Sequence, residues 1–319
     1  MMIASATNAI AAWGGATTVP SLISHRENAV FAVTLKSNQK VALRLHRPGY
    51  NSKAEIQSEL WWTKQLVDAG FPAPEPIATT TGELLFELAD GQFATVISWA
   101  EGRQIGASGT ALEGTLDTQI ALYESLGQLL AQLHAQSDAM TLPAEFTRRN
   151  WNIDGFLGPD PLWGRFWENP ALDAKTRDIV LAARNKARDD LVDYMDGGAD
   201  QGLIHADALR ENVFRQGGDL SLIDFDDSGF GFRLYDLTVA LSQSIGDQNF
   251  AALQGAILAG YGQIKPVQQA DVDRFHLFVM LRSFASFGWV MPRLSADDPA
   301  NAKYLYRINW AARKYLDQA

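Results

Sequence analysis

The stretch GLIHADALRENVFRQGGDLSLIDFDD, residues 202–227, reads as strand material whose apolar runs GLI and LSLI bracket a turn at RQGGD. Each run ends in acid: Asp207 after the first, and Asp224, Asp226 and Asp227 after the second. A carboxylate at the end of a buried segment is costly unless something cationic meets it. His205-Ala206-Asp207, then Asn212, then Asp224 spell H-x-D-x-x-x-x-N followed by a strand-terminal Asp, a spacing suited to phosphoryl transfer. That reaction needs little covalent help, but its charge must be neutralised and its oxygens aligned. Asn212 and Asp224 offer oxygen ligands to Mg2+, an ion that keeps its other positions for water and phosphate. Asp207 would accept the proton of an attacking hydroxyl. The alternative, solvated turn residues at two strand ends, explains each side chain alone but not the joint spacing. Asp226 and Asp227 stay open between a second metal position, a cationic substrate group and an exposed turn.

Other elements must hold these groups in place. AVFAVTL and KVALRLHRP flank the polar KSNQ and predict a hairpin. SKAEIQSELWWTKQLVDAG predicts a helix, with Ser52 and Glu55 as a capping box and Gly70 as its stop. FPAPEP cannot continue a helix. LLFEL and FATVIS predict a second hairpin around Asp90-Gly91. About five strands and one long helix therefore precede residue 99. Beyond WAEGRQIGASG the pattern turns helical: Leu116, Ile120, Tyr123 and Leu130 share one face, residues 171–196 form a second long helix, and helical patterns run from Tyr235 onward. The expectation is an α+β chain with a β-rich part at 1–98 and a mostly helical part at 99–319.

Composition narrows the function. Acidic residues outnumber basic ones 37 to 27, a net charge of −10, which argues against a nucleic-acid partner. The chain has no cysteine, so a thiolate nucleophile or zinc site is excluded and a reducing, cytoplasmic setting is expected. The segment before Arg26 carries no basic residue, unlike a signal peptide, and no apolar run reaches membrane-spanning length. There is no Walker A loop, G-x-G-x-x-G, H-E-x-x-H or G-x-S-x-G.

HADALRENVF and LIDFDDSGFGFRLYDLTVAL resemble the paired signatures of the aminoglycoside phosphotransferase and choline kinase family, which includes type II homoserine kinases and a bacterial stress-response protein kinase. SHRENAVFAV and VALRLHRPGY extend the resemblance over most of the chain from about residue 13. It implies a bilobal protein-kinase-like fold, ATP with Mg2+, Asp207 as base, and Asn212 and Asp224 as metal ligands. Asp236 in YDL matches a structural family Asp. VALR stands where kinases carry V-A-I-K on a strand. Alternation puts Ala42 and Arg44 on one face, suited to adenine and phosphates, with Glu59 as the ion-pair partner. Arg44 replaces the usual Lys, giving a planar fork instead of a point charge. SHREN lacks the kinase glycine-rich loop, so the resemblance gives phosphate cover to Ser24–Asn28 through backbone N–H groups and short polar side chains. It gives the adenine hydrogen bonds to the backbone around Ser98 and Trp99.

The acceptor is left open. Trp151, Phe156, Trp163 and Trp167 would form either an aromatic wall for a cationic amine or plain core packing. A small-molecule hydroxyl on an amino alcohol, an amino acid such as homoserine, or an aminosugar leads. A Ser/Thr protein kinase is second, and no long activation segment separates Asp224 from Asp236. A non-catalytic nucleotide-binding protein, motivated by Arg44, is third.

Overall fold

The computed structural model describes residues 2–317. The chain divides into two compact units, one of Met1–Arg103, Met140–Arg148 and Phe214–Asp226, the other of Gln104–Ala139, Arg149–Val213 and Asp227–Ala319. In the first unit, β1 (Ser21–His25), β2 (Ala29–Thr34), β3 (Lys40–Leu45), β4 (Leu85–Glu87) and β5 (Phe93–Ser98) form an antiparallel sheet ordered β1-β2-β3-β5-β4. Alternation sends Val41, Leu43 and Leu45 into one core with Phe31, Val33 and Val96. That core is closed by an element the sequence reading left out, helix α1 (Met2–Ala9) and the 3-10 turn Ile10–Trp13. Ala6, Ala9, Ile10 and Trp13 are buried there, and Trp13 Nε1 donates to the Ile77 carbonyl at 2.7 Å.

Helix α2 (Lys53–Asp68) starts at the expected capping box: Ser52 Oγ accepts from the Glu55 amide, and the Glu55 carboxylate accepts from the Ser52 amide. Its inner face buries Ile56, Leu60, Trp62 and Leu66, each contributing about 1.5–3 kcal/mol relative to exposure. Gly70 follows at φ +82°, a left-handed stop. Trp62 meets Phe225 edge-on at 5.4 Å, so α2 is keyed to the turn that carries Asp224.

The second unit holds most of the helices, among them α3 (Leu116–Asp138), α4 (Ile153–Leu157), α5 (Ala174–Asp196), α6 (Arg233–Leu241), α7 (Phe250–Gly262), α8 (Gln269–Asp273), α9 (Phe275–Val290) and α10 (Asn301–Leu316). Helix α3 crosses α7 with the backbones nearly touching. A methyl group at Gly127 would sit 2.1 Å from the Ile257 carbonyl oxygen, and one at Gly260 would sit 1.9 Å from that of Glu124. Of the remaining strands, β6 (Arg103–Gln104), β9 (Val213–Gln216) and β10 (Asp219–Leu222) form one three-stranded sheet in the order β10-β9-β6. The strands β7 (Arg149–Trp151), β8 (Gln201–Ile204) and β11 (Gly229–Phe232) form another, with β11 parallel to β7 and antiparallel to β8. The two apolar runs of the 202–227 stretch therefore do not pair: GLI belongs to β8 and LSLI to β10. The turn at Gly217 (φ +62°) joins β9 to β10 instead.

Candidate active site

In the second unit, Asp207 follows β8 on a loop with unusual backbone geometry. Ala206 sits at φ +65°, a left-handed conformation that a residue with a Cβ adopts only when its surroundings enforce it. Asp236, at the start of α6, does the enforcing. Its fully buried carboxylate accepts from the His205 amide at 2.8 Å and the Ala206 amide at 2.7 Å. His134 Nε2 lies 3.0 Å from the same carboxylate, and His134 Nδ1 lies 2.9 Å from the Tyr261 hydroxyl. Burial opposes the Asp236 charge, yet these contacts hold its carboxyl below the ordinary range.

Asp207 itself is gripped at both oxygens. Oδ1 accepts from Arg282 Nη2 at 2.8 Å, and Oδ2 accepts from Asn212 Nδ2 at 2.9 Å. Asn212 Nδ2 also donates to the Asp207 carbonyl at 2.8 Å. Both donor bonds of the amide thus serve Asp207, and its oxygen is the atom left to act as a ligand. The Asp207 side chain is 18% exposed, so it is held but reachable.

In the first unit, Arg44 is the hub. Nη1 lies 2.7 Å from Glu59, and Nη2 lies 3.1 Å from Asp226 and 3.8 Å from Asp224. Burial opposes the cation, but Glu59, Asp226 and Asp224 outweigh it and keep Arg44 charged well beyond its usual range. Asp224 occupies the left-handed region at φ +67° and its side chain is 49% exposed, so its carboxylate reaches outward. Asp226, left between three roles by the sequence, is not an exposed turn residue. It is buried and binds Arg44, Asn28 Nδ2 at 2.9 Å and Asn51 Nδ2 at 3.0 Å. The Asn28–Asp226 bond ties the Ser24–Asn28 segment to the Asp224 turn, and Asn28 Oδ1 also accepts from the Arg47 amide. Arg148 braces the same turn, donating to the carbonyls of Asp226 at 2.7 Å and Glu55 at 3.0 Å. Asn51, Arg148 and the latch role of Asp226 were not expected. The signal was weak: each works through partners tens to hundreds of residues away in sequence.

The other expected residues differ in placement. Ala42 stands between Ala32 and Ile97 on the sheet face that also carries Arg44. Ser24 lies beside an irregularity in the β1–β2 register. Ser98 is tied to the adjoining segment: its amide donates to the Glu75 carbonyl at 2.8 Å and its hydroxyl accepts from the Glu75 amide. Trp99 follows the strand end, with Lys40 Nζ 3.6 Å over its ring. The four aromatics left between a substrate wall and core packing are all engaged within the protein. Trp151 and Phe156 are core residues packed on Tyr235, the Arg282 guanidinium covers Trp163 at 4.9 Å, and Arg184 covers Trp167 at 4.1 Å. Two of the four rings thus carry cation–π contacts from the protein's own arginines.

Two histidines behind these sites give a stability prediction. Burial, aided by Arg44, lowers His46 to about 3, and burial, aided by Arg233, lowers His134 to about 4. The unfolded chain therefore binds protons below about pH 6.5 that the folded chain refuses, and stability falls as the pH drops from there towards 4. The expected slope is about 1.4 kcal/mol per histidine per pH unit. Thermal midpoints at pH 7, 6 and 5 should decline in sequence; a midpoint unchanged from pH 7 to 5 would contradict the assignment.

Comparison with known proteins fits this geometry. Residues 19–277 match the phosphotransferase enzyme family. A microcompartment-associated aminopropanol kinase of known structure is 26% identical, with a TM-score of 0.83 over 99% of this chain and 98% of that one. An amicoumacin kinase solved with AMP-PNP and Ca2+ is 19% identical, with a TM-score of 0.71 over 91% and 87% of the two chains, a likeness of fold. Homoserine kinase of Brucella abortus is 28% identical over 227 residues, 70% of this chain and 63% of that one, so the match spans less than two thirds of the relative. Among the described residues, no helix is long and apolar enough to cross a membrane. The chain has the α+β kinase-like fold and belongs to the phosphotransferase enzyme family, as an enzyme of the ATP-dependent kinase class that acts on hydroxyl groups.

Proposed function

We propose that the protein transfers the γ-phosphoryl group of ATP to the hydroxyl of a small amino alcohol or hydroxy amino acid, in the cytoplasm, with an aminosugar as the less favoured acceptor. The observation that carries this reading is the Asp207 carboxylate, fixed by Arg282 and Asn212 yet open to solvent on one side. The likeness to an aminopropanol kinase over nearly the whole chain supports a compact amine-bearing acceptor. On this reading residues 1–98 serve the nucleotide and residues 99–319 the catalytic loop and the acceptor.

Mg2+ fits the donor set. The Asn212 amide oxygen and the outward Asp224 carboxylate are hard oxygen ligands, and an ion with two protein ligands takes the rest from phosphate and water. When bound, Mg2+ would offset the charge of the phosphates. The chain's own groups do the remaining work. Arg44, oriented by Glu59, meets phosphate oxygens with its planar fork. Asn28 and Ser24 hold the segment over the phosphates, and the backbone at Trp99 meets the adenine. Asp207 aligns the acceptor hydroxyl and takes its proton as the O–P bond forms, while ADP leaves with the bridging oxygen.

The protein-kinase reading is less favoured. The segment after Asp224 is a 3-10 turn at Phe225–Asp227 followed directly by β11 and α6, which leaves no long activation segment. Incubation with labelled ATP, Mg2+ and separate panels of amino alcohols, hydroxy amino acids, aminoglycosides and casein decides the matter. Acceptor-dependent ADP release with an amino alcohol or hydroxy amino acid is expected. Label on casein alone would favour the protein-kinase reading, and tight Mg·ATP binding with no acceptor turned over would favour a non-catalytic nucleotide binder.

A further inference from the structure

Arg282 lies in the middle of α9, where Phe278, Val279, Met280, Leu281 and Phe284 are all buried around it. A guanidinium in such a helix needs a strong reason to be there. It is 4% exposed and its charge is directed at a single carboxylate, Asp207, with Nη1 reaching the Ala206 carbonyl at 3.3 Å. The guanidinium rests over the Trp163 ring, 4.9 Å from its centroid. Ion pairs withdrawn from water contribute little net stability, because desolvation offsets the attraction. What this pair does provide is direction. Arg282 takes one oxygen of Asp207 and Asn212 takes the other, while the left-handed turn at Ala206 fixes the backbone beneath them.

We infer that Arg282 is a positioning residue for the transfer step: it sets the rotamer of Asp207 so that the carboxylate faces the acceptor hydroxyl. The inference rests on the reading of Asp207 as base, and the controls separate the two. Misplacing a catalytic group by about 1 Å can cost roughly 100-fold in rate, so Arg282→Ala should lose between about 10- and 100-fold in kcat. Acceptor KM and nucleotide affinity should change less than about threefold, because Arg282 is assigned contact with neither. Guanidinium chloride at about 50 mM, well under the molar range that unfolds proteins, should restore several-fold of the lost kcat in Arg282→Ala and nothing in Asp207→Asn. Arg282→Lys, a point charge without the fork, should be intermediate.

A kcat of Arg282→Ala within twofold of wild type overturns the inference, as does a loss that follows the folded fraction and is not rescued by guanidinium. Should Arg282→Ala fail to fold, Arg282→Lys carries the test: a kcat within twofold of wild type overturns the inference, and a fivefold or larger fall at unchanged nucleotide affinity supports it. Full activity in Asp207→Asn would instead remove the base assignment itself.

Discussion

Asp207→Asn is expected to reduce acceptor-dependent ADP release by roughly 10²–10⁴-fold, the range that a lost general base removes, while leaving Mg·ATP affinity within about twofold. Asparagine matches aspartate in shape, so the substitution removes the proton acceptor with little change in volume. Its amide keeps one oxygen, which can accept from Arg282 or from Asn212 but cannot carry the charge that balances Arg282. Some loss of stability therefore accompanies the variant, since a buried cation deprived of its partner is costly. Nucleotide binding, read by calorimetry on the folded protein, separates that loss from the chemical one. A variant that binds nucleotide normally and still turns over acceptor at the wild-type rate would mean that Asp207 is not the base.

The arrangement in the first unit bears on the exchange of Lys for Arg at position 44. A lysine ammonium would make point contacts. The Arg44 fork instead spans Glu59 on one side and Asp226 on the other, with Asp224 a little farther off. Asp226 is a second buried acid on this cation, and its contacts to Asn28 and Asn51 turn it into a latch. Arg44 thereby links α2, the Ser24–Asn28 segment and the Asp224 turn through one guanidinium.

Local signals in the sequence were reliable because they act over a few residues. The Ser52–Glu55 box, the alternation through Val41, Leu43 and Leu45, and the Gly70 stop each depend on neighbours that the sequence places side by side. The spacing of Asp207 to Asn212 is local as well, and their amide–carboxylate contact closes over five residues. Contacts that decide how the site is held are remote: Asp207 to Arg282 spans 75 residues, Arg44 to Asp226 spans 182, and Asn28 to Asp226 spans 198. No periodicity encodes such pairings. One clue was present in FVMLRSFASFGWV, where a single cation interrupts an apolar helix and so implies a buried anionic partner. The aromatic cluster stayed open between a substrate wall and core packing for a related reason. Composition names the rings but not which cation occupies their faces, and Arg282 and Arg184 do so here. Helix α1 was missed because MIASATNA is only eight residues long with no charged residue to mark either end, and its burial of Ala6 and Ala9 comes from docking on the sheet.

The second large effect concerns Asp224. Its carboxylate is half exposed and only 3.8 Å from Arg44, which keeps Glu59 and Asp226 when Asp224 is removed, so the fold should survive its loss. Alanine at φ +67° adds strain of order 1–3 kcal/mol, which Asp224→Asn avoids because asparagine tolerates the left-handed region. Asp224→Asn removes the negative charge without that strain but keeps an amide oxygen, so its shift should fall between those of wild type and Asp224→Ala. A ligand present at 100 times its Kd stabilises a protein by about 2.7 kcal/mol, a shift of several degrees that depends on both nucleotide and metal if the two are bound together. The decisive measurement is the thermal midpoint of wild type, Asp224→Asn and Asp224→Ala with ATP, in Mg2+ and in EDTA. A shift that needs Mg2+ in wild type and vanishes in Asp224→Ala is the predicted result; an undiminished Mg·ATP shift in that variant would contradict the account.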